Sequence, residues 1–248
     1  MRVCFTALVL LFCGVVFAQQ GDVKAKIEAA ISADIRTAAE VERDRNRKPL
    51  ETLTFFGLQD NMRVIELLPG GGWYTKILAP VLQENGELYV AIATGSVERN
   101  LLDKPGFEDV RVANIGVDLV GDGPFGTSNV ESFSFGVKDV DLVLTFRNMH
   151  SFTAEGRMTV NSAVYEALKS GGHFGVIDHS RRHMEPIYSE NRRRTDVVQI
   201  IKEAQMAGFE LVDYSDLHYR PDDELRYEVG RQTVTGNTDR YTLLFRKP

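Results

Sequence analysis

The sequence predicts an α/β fold: a doubly wound, mostly parallel sheet of seven strands with one antiparallel strand near its edge. Three observations predict it. From Arg63 onward, short apolar runs alternate with helical segments, and glycine marks most of the changes. Val140–Phe146 is apolar apart from Asp141 and Thr145, as a parallel strand covered on both faces must be. The last two strand segments, Phe209–Leu217 and Arg240–Phe245, are joined by polar turn sequence such as Arg220-Pro221-Asp222-Asp223. With no crossover helix between them, those two strands pair antiparallel.

Each element has its own warrant. Val23, Ile27, Ile31, Ile35 and Ala38 recur at helical spacing and predict an amphipathic helix over 23–44. Glu42–Lys48 alternates in charge and stops at Pro49, which reads as a solvated helix end and turn. A short helix, Pro49–Phe56, closes at Gly57. The first strand, Arg63–Leu68, runs into Pro69-Gly70-Gly71-Gly72, and a helix from Trp73 to Leu82 follows. Glu87–Ala93 is the second strand, with a helix over Val97–Asp103, and Val110–Ile115 is the third. Gly116–Gly136 is glycine-rich loop with room for one short helix. After the fourth strand, Val140–Phe146, a helix over 155–169 is broken by Gly171-Gly172, and His173–Ile177 is the fifth strand. Asp196–Met206 is the last helix, stopped by Gly208.

The N-terminus is a separate object. Arg2 precedes an apolar run from Val3 to Phe17, too short to span a bilayer, and Val16-Phe17-Ala18 fits a signal cleavage site. Residues 1–18 are therefore expected to be a signal peptide, with 19–248 a single domain carrying an N-terminal helical extension over 19–60. That places the protein outside the cytoplasm, periplasmic or secreted, with no stable membrane insertion after cleavage. Cleavage removes Cys4 and Cys13, the two cysteines of the chain, and with them disulfides, thiolate nucleophiles and Cys-ligated zinc. A balance of 29 basic against 35 acidic residues gives no basic face for nucleic acid and leaves a small molecule as the expected partner. Oligomeric state leaves no mark on the sequence.

The turn after the first strand carries the family resemblance. Glu66-Leu67-Leu68-Pro69-Gly70-Gly71-Gly72 places an acid at the strand end and glycines behind it, where a ligand packs on bare backbone. This run resembles the first motif of class I S-adenosylmethionine-dependent methyltransferases, with Leu68 in the place of that motif's first glycine. Leu168-Lys169-Ser170-Gly171-Gly172, leading to a strand and Asp178, resembles the family's passage into strand five. Phe55-Phe56-Gly57-Leu58, Arg147-Asn148-Met149-His150 and Asp178-His179-Ser180-Arg181 resemble passages of a group of exported bacterial predicted methyltransferases. The resemblance covers the chain from about residue 40 onward. It implies a Rossmann-like fold, S-adenosylmethionine as cofactor, and a donor site formed by Glu66, Gly70, Gly71, Gly72, Trp73, Tyr74, Thr94 and Asn148. Trp73 and Tyr74 would add cation–π contact to the donor's positive charge. Strand two departs from the family pattern, because it ends in Thr94 rather than in the acid that holds the donor's ribose. Asp118 or Asp122 stands where the adenine would lie.

Ligands of open α/β sheets bind beyond the carboxyl ends of the strands. Arg147, Asn148 and His150 follow strand four, and Asp178, His179 and Arg181 follow strand five, so both sets are expected to share one crevice with Glu66. His150 is the expected base, Asp178 and His179 orient it or the substrate, and Arg147 holds a carboxylate or phosphate. Two alternatives use the same residues. One is a metal-dependent enzyme built on His150, Asp178 and His179 with His183. The other is a non-catalytic nucleoside- or anion-binding module of the same fold, in which Arg192-Arg193-Arg194 grips an anion or forms a solvated face.

Overall fold

A computed structural model describes residues 22–248 apart from 114, 117 and 118. The expected signal segment, both cysteines and Asp118 lie outside the described residues. Among the described residues no helix is long and apolar enough to cross a membrane.

The chain opens with helix α1 (22–31), then three short helices: α2 (Ala38–Val41), α3 (Asp44–Arg47) and α4 (Pro49–Phe55). The alternation follows as β1 (Arg63–Leu67), α5 (Thr75–Leu82), β2 (Glu87–Ala91), α6 (Gly95–Val97) and β3 (Arg111–Ala113). Then come β4 (Val140–Phe146), α7 (Ala154–Ala167), β5 (Leu168–Arg181), the two-residue β6 (Thr195–Asp196), α8 (Val197–Met206), β7 (Glu210–Ser215) and β8 (Arg240–Arg246).

The sheet order is β3-β2-β1-β4-β5-β8-β7, with β6 beside the end of β5. The strands from β3 to β5 pair in parallel, and β8 runs antiparallel to both neighbours. It is the one reversed strand, next to the edge, as the missing crossover helix requires. Side chains of β1 and β4 alternate between two cores. Val64, Leu142 and Leu144 join α1, α4 and α5 on one face; Ile65, Val143 and Val140 join α7 and α8 on the other.

Four expectations need correction. The helix expected over 23–44 is broken, because Arg36 Nη1 donates to the Ile31 carbonyl and Thr37 starts a new helix. Thr37 and Glu40 form a capping box, Thr37 N–H donating to Glu40 Oε2 at 2.8 Å, and its T-x-x-E spacing stands in the sequence. The expected break at Gly171-Gly172 is a bulge inside β5, where the register with β4 shifts between Val140 and Leu142. A Cβ on Gly172 would lie 2.9 Å from the Val140 carbonyl. The segment 42–48 is a solvated end only in part: Glu42, Arg43 and Arg45 are exposed, but Arg47 is buried beside Trp73. The helix expected over Val97–Asp103 starts earlier, with the single turn of α6, and widens to a π-helical turn over Glu98–Leu102.

Candidate active site

Backbone strain gathers at one edge of the sheet. Leu68 (φ 48°) follows β1, Ile92 and Ala93 (65° and 53°) follow β2, and Arg147 (65°) follows β4, all in the left-handed region. Such residues cost about 1–2 kcal/mol each. Ile92 is β-branched and ranks as an outlier there. Leu68 holds a left-handed conformation that glycine adopts without strain.

That bend floors a cleft of about 260 Å³. Glu66, Gly70, Gly71, Tyr74, Arg147 and Asn148 are among its walls, so the loops after β1 and β4 meet as expected. Above Gly70 and Gly71 a Cβ would meet nothing within 4 Å, and the bare backbone opens onto free space. Gly72 is different: its Cβ would lie 2.6 Å from Leu101 Cδ2, so packing against the helical turns after β2 accounts for that glycine without a ligand. Asn148 donates through Nδ2 to the carbonyls of Leu67 (3.2 Å) and Leu68 (3.4 Å) and so pins the bend.

Glu66 is 2% exposed and has one hydrogen-bond partner, the Thr75 hydroxyl at 2.6 Å. Burial raises its carboxyl to about 7, against smaller opposing effects of Thr75 and Arg47. A half-ionised acid under an open bend suits a cationic ligand group, which would restore its charge.

The aromatic pair behind the bend is already engaged. The Trp73 ring carries the guanidinium groups of Arg47 at 4.3 Å and Arg36 at 4.9 Å, and its indole N–H donates to the Glu40 carbonyl. Tyr74 stacks on Phe146 with ring centroids 3.5 Å apart. Cation–π contact is therefore made with the protein's own arginines. Arg43 and Arg47, from the N-terminal extension, join the cleft wall beside Arg147. The sequence reading missed both, and the charge run of 42–48 was the available signal.

His150 and Asp178 meet as a pair. Asp178 is fully buried and accepts from His150 N–H (2.8 Å), His150 Nδ1 (2.7 Å) and His179 N–H (2.8 Å). The carboxylate fixes the proton on Nδ1 and leaves the Nε2 lone pair free. His179 is also buried, bonded through Nδ1 to the Thr238 hydroxyl, and burial holds it well below the usual imidazole range. The single shared crevice is corrected accordingly. Arg147 and Asn148 line the cleft of Glu66, whereas His150 lines a second cavity of about 230 Å³ with Arg157, Arg181 and Thr195. His150 lies in the short turn Met149–Ser151 that begins directly after Asn148.

The remaining candidates fall elsewhere. Thr94 is outside the cleft lining, and its hydroxyl donates to Glu98 Oε1 at 2.5 Å. The carboxylate lacking on β2 is thus brought to its end from one helical turn further on. Arg194 is buried against Asp223, the Ser180 carbonyl and the Tyr227 carbonyl, whereas Arg192 and Arg193 are exposed and Arg193 pairs with Glu228, so the run is solvated in its first two residues and buried in the third. His183 pairs with Asp196, away from His150. Among the described residues no three His, Cys, Asp or Glu side chains converge to hold a metal.

No family model matches the chain, and no curated protein matches it in sequence. Solved structures do. An S-adenosylmethionine-dependent methyltransferase from Aquifex aeolicus aligns over 91% of this chain and 98% of its own, with TM-score 0.57 and 14% identity. The fold is that of the S-adenosylmethionine-dependent methyltransferases. The glycopeptide N-methyltransferase MtfA aligns with TM-score 0.53 and 15% identity over 86% of this chain and 100% of its own. The cyclase SpnF aligns with TM-score 0.55 and 14% identity over 88% and 85%. A cyclase on the methyltransferase fold shows that the reaction has to be argued from the site's residues.

Proposed function

We propose that the protein is an S-adenosylmethionine-dependent methyltransferase acting on a small molecule. The observation that carries the reading is Glu66: a buried carboxyl with one hydroxyl partner, beneath the open backbone of Gly70 and Gly71. When bound, the donor supplies an electrophilic methyl on a sulfonium. Glu66 meets the donor's cationic methionine end, and the Gly70-Gly71 backbone lets that end approach closely. Asn148 keeps the bend in place through Leu67 and Leu68. Thr94 and Glu98 stand together at the end of β2, where the methyltransferase fold puts the ribose. Asp178 holds the His150 proton on Nδ1, which leaves Nε2 to take a proton from an acceptor that extends from the Glu66 cleft to the neighbouring cavity of His150. The buried, neutral His179 keeps a second positive charge away from that base.

Calorimetric titration of the purified protein with S-adenosylmethionine and S-adenosylhomocysteine tests the reading. Binding is expected, weakened about tenfold or more in Glu66→Gln through loss of a charge-assisted contact. No heat from the native protein at millimolar ligand would remove it. The placement of His150 beside a different cavity favours one second reading, a binding module of this fold without turnover. Donor binding that is insensitive to His150→Gln, in a protein that methylates nothing, would decide for it.

We also propose export. Arg2, the apolar run to Phe17 and Val16-Phe17-Ala18 support cleavage before Gln19. Intact mass of the protein recovered outside the cytoplasm should begin at Gln19, and a mass that retains Met1 overturns the proposal.

A further inference from the structure

The cleft of Glu66 holds more positive charge than a methyl donor needs. Arg43, Arg47 and Arg147 all line it. Among the described residues none of the three guanidinium groups is hydrogen-bonded to a carboxylate or a carbonyl. Arg47 is 6% exposed, lies over the rings of Trp73 and Tyr74, and has Glu66 within electrostatic reach but not hydrogen-bonded to it. The one other acid in the wall, Glu40, is bound to Lys76 Nζ at 2.8 and 2.9 Å, so its charge is already met. Buried arginines are ordinarily paired, because an uncompensated buried cation is costly. Three other buried arginines are paired, Arg36 with Asp44, Arg157 with Glu203 and Arg194 with Asp223, while Arg240 donates to the Asn46 carbonyl.

Burial and mutual repulsion act on the same group. Burial lowers Arg47 to about 9, with Arg147 and Arg43 adding to the effect, and burial lowers Arg147 as well. Arg47 nevertheless remains charged at neutral pH. The donor does not neutralise the arginines of the cleft. Its sulfonium and ammonium outweigh its one carboxylate, and Glu66 offsets only the surplus. Three cations then remain for an oxyanion, and guanidinium forks match carboxylate and phosphate oxygens.

We propose that the cleft binds, beside the methyl donor, an acceptor bearing a phosphate or a pair of carboxylates, held by Arg43, Arg47 and Arg147. This rests on the methyltransferase reading and narrows its substrate class to small anions. Arg147 ties the anion to the chemistry, since it lines the cleft and lies within electrostatic reach of Asp178, the partner of His150. Arg43 is exposed at the mouth of the cleft and would meet the anion first.

The protein carries its own reporter, because Trp73 is the only tryptophan and lies against Arg47. Pyrophosphate and succinate are titrated into the protein with and without S-adenosylhomocysteine, read by Trp73 emission and by calorimetry. At least one of the two is expected to bind with the homocysteine ligand present, about tenfold or more weaker in Arg43→Gln and Arg147→Gln. Arg43→Gln alters an exposed side chain, so its effect does not depend on refolding of the core. Anion binding without any binding of S-adenosylhomocysteine would leave the subsite standing and remove the donor reading. The reverse, homocysteine ligand bound but neither anion at millimolar concentration, overturns the subsite alone. One-for-one competition between anion and S-adenosylhomocysteine, absent with 5′-methylthioadenosine, would assign the arginines to the donor's own carboxylate and also overturn it.

Discussion

At the scale of single residues, Glu66 decides the behaviour of the cleft. Its carboxyl is raised to about 7 by burial, so in the free protein the neutral form is favoured and ionisation is resisted. A cationic ligand needs the ionised form. Binding below pH 7 should therefore release up to one proton, with affinity rising about fivefold from pH 6 to pH 7 and at most about twofold more above. Calorimetry in two buffers of different ionisation enthalpy measures that proton, and in Glu66→Gln it should disappear. The His150–Asp178 pair makes a kinetic prediction. His150→Gln keeps the size of the side chain and removes the base, so kcat for methyl transfer should fall by about 100-fold or more with KM little changed. Equal loss in kcat/KM and in donor affinity would show that His150 holds ligand instead.

At the scale of elements, the β1–α5 turn separates two uses of glycine. Gly71 has open space above it and no left-handed backbone, so Gly71→Ala should fold normally and place a methyl group in the cleft. Its Tm should match the parent's while S-adenosylhomocysteine binds about tenfold or more weaker. Gly72 sits at φ 83° with Leu101 2.6 Å from its absent Cβ. Gly72→Ala should cost about 1–3 kcal/mol of folding stability in urea denaturation, from strain and overpacking together. If both variants behaved alike, the division of the bend into a ligand face and a packing face would be wrong. Ala93, exposed and at φ 53°, tests the strain at the neighbouring strand end. Relief of left-handed strain outweighs glycine's added chain entropy there, so Ala93→Gly should raise stability by up to about 1 kcal/mol.

At the scale of the molecule, buried titrating groups pull stability in opposite directions with pH. His218 is buried, and burial lowers it to about 4. Its Nε2–H donates to the Arg47 carbonyl, and Nδ1 accepts from the Thr242 hydroxyl, which ties the N-terminal extension to β8. A depressed histidine contributes stability that is full above about pH 6.5 and lost as pH falls toward 4, about 3 kcal/mol in all. Glu66 acts with the other sign: its raised carboxyl contributes below about pH 4.5 and that contribution is lost as pH rises through 7. The two nearly offset in the free protein. Glu66→Gln removes one of them, so this variant should gain up to about 3 kcal/mol at pH 8 while losing ligand affinity. Its stability should then fall more steeply than the parent's between pH 6.5 and 4 in urea titrations.

The sequence by itself determined the order of strands and helices, the reversed strand next to the sheet edge, and the acid-and-glycine turn at the mouth of β1. These are local signals: hydrophobic period, turn residues and the absence of a crossover helix act over a few neighbours in the chain. It also brought Arg147 and Asn148 to Glu66, because parallel strands deliver their carboxyl ends to one edge. Only the tertiary structure decided the surroundings of that edge. Thr37 and Arg36 broke the first helix and laid Arg47 against Trp73, with Arg43 in the same cleft wall, a contact between segments about 30 residues apart. His150, in the short turn after Asn148, lines a second cavity while Asp178 keeps hold of it. Whether a charge is solvated, paired or left waiting for a ligand depends on what other segments bring to it, and the spacing of residues along one chain does not encode that.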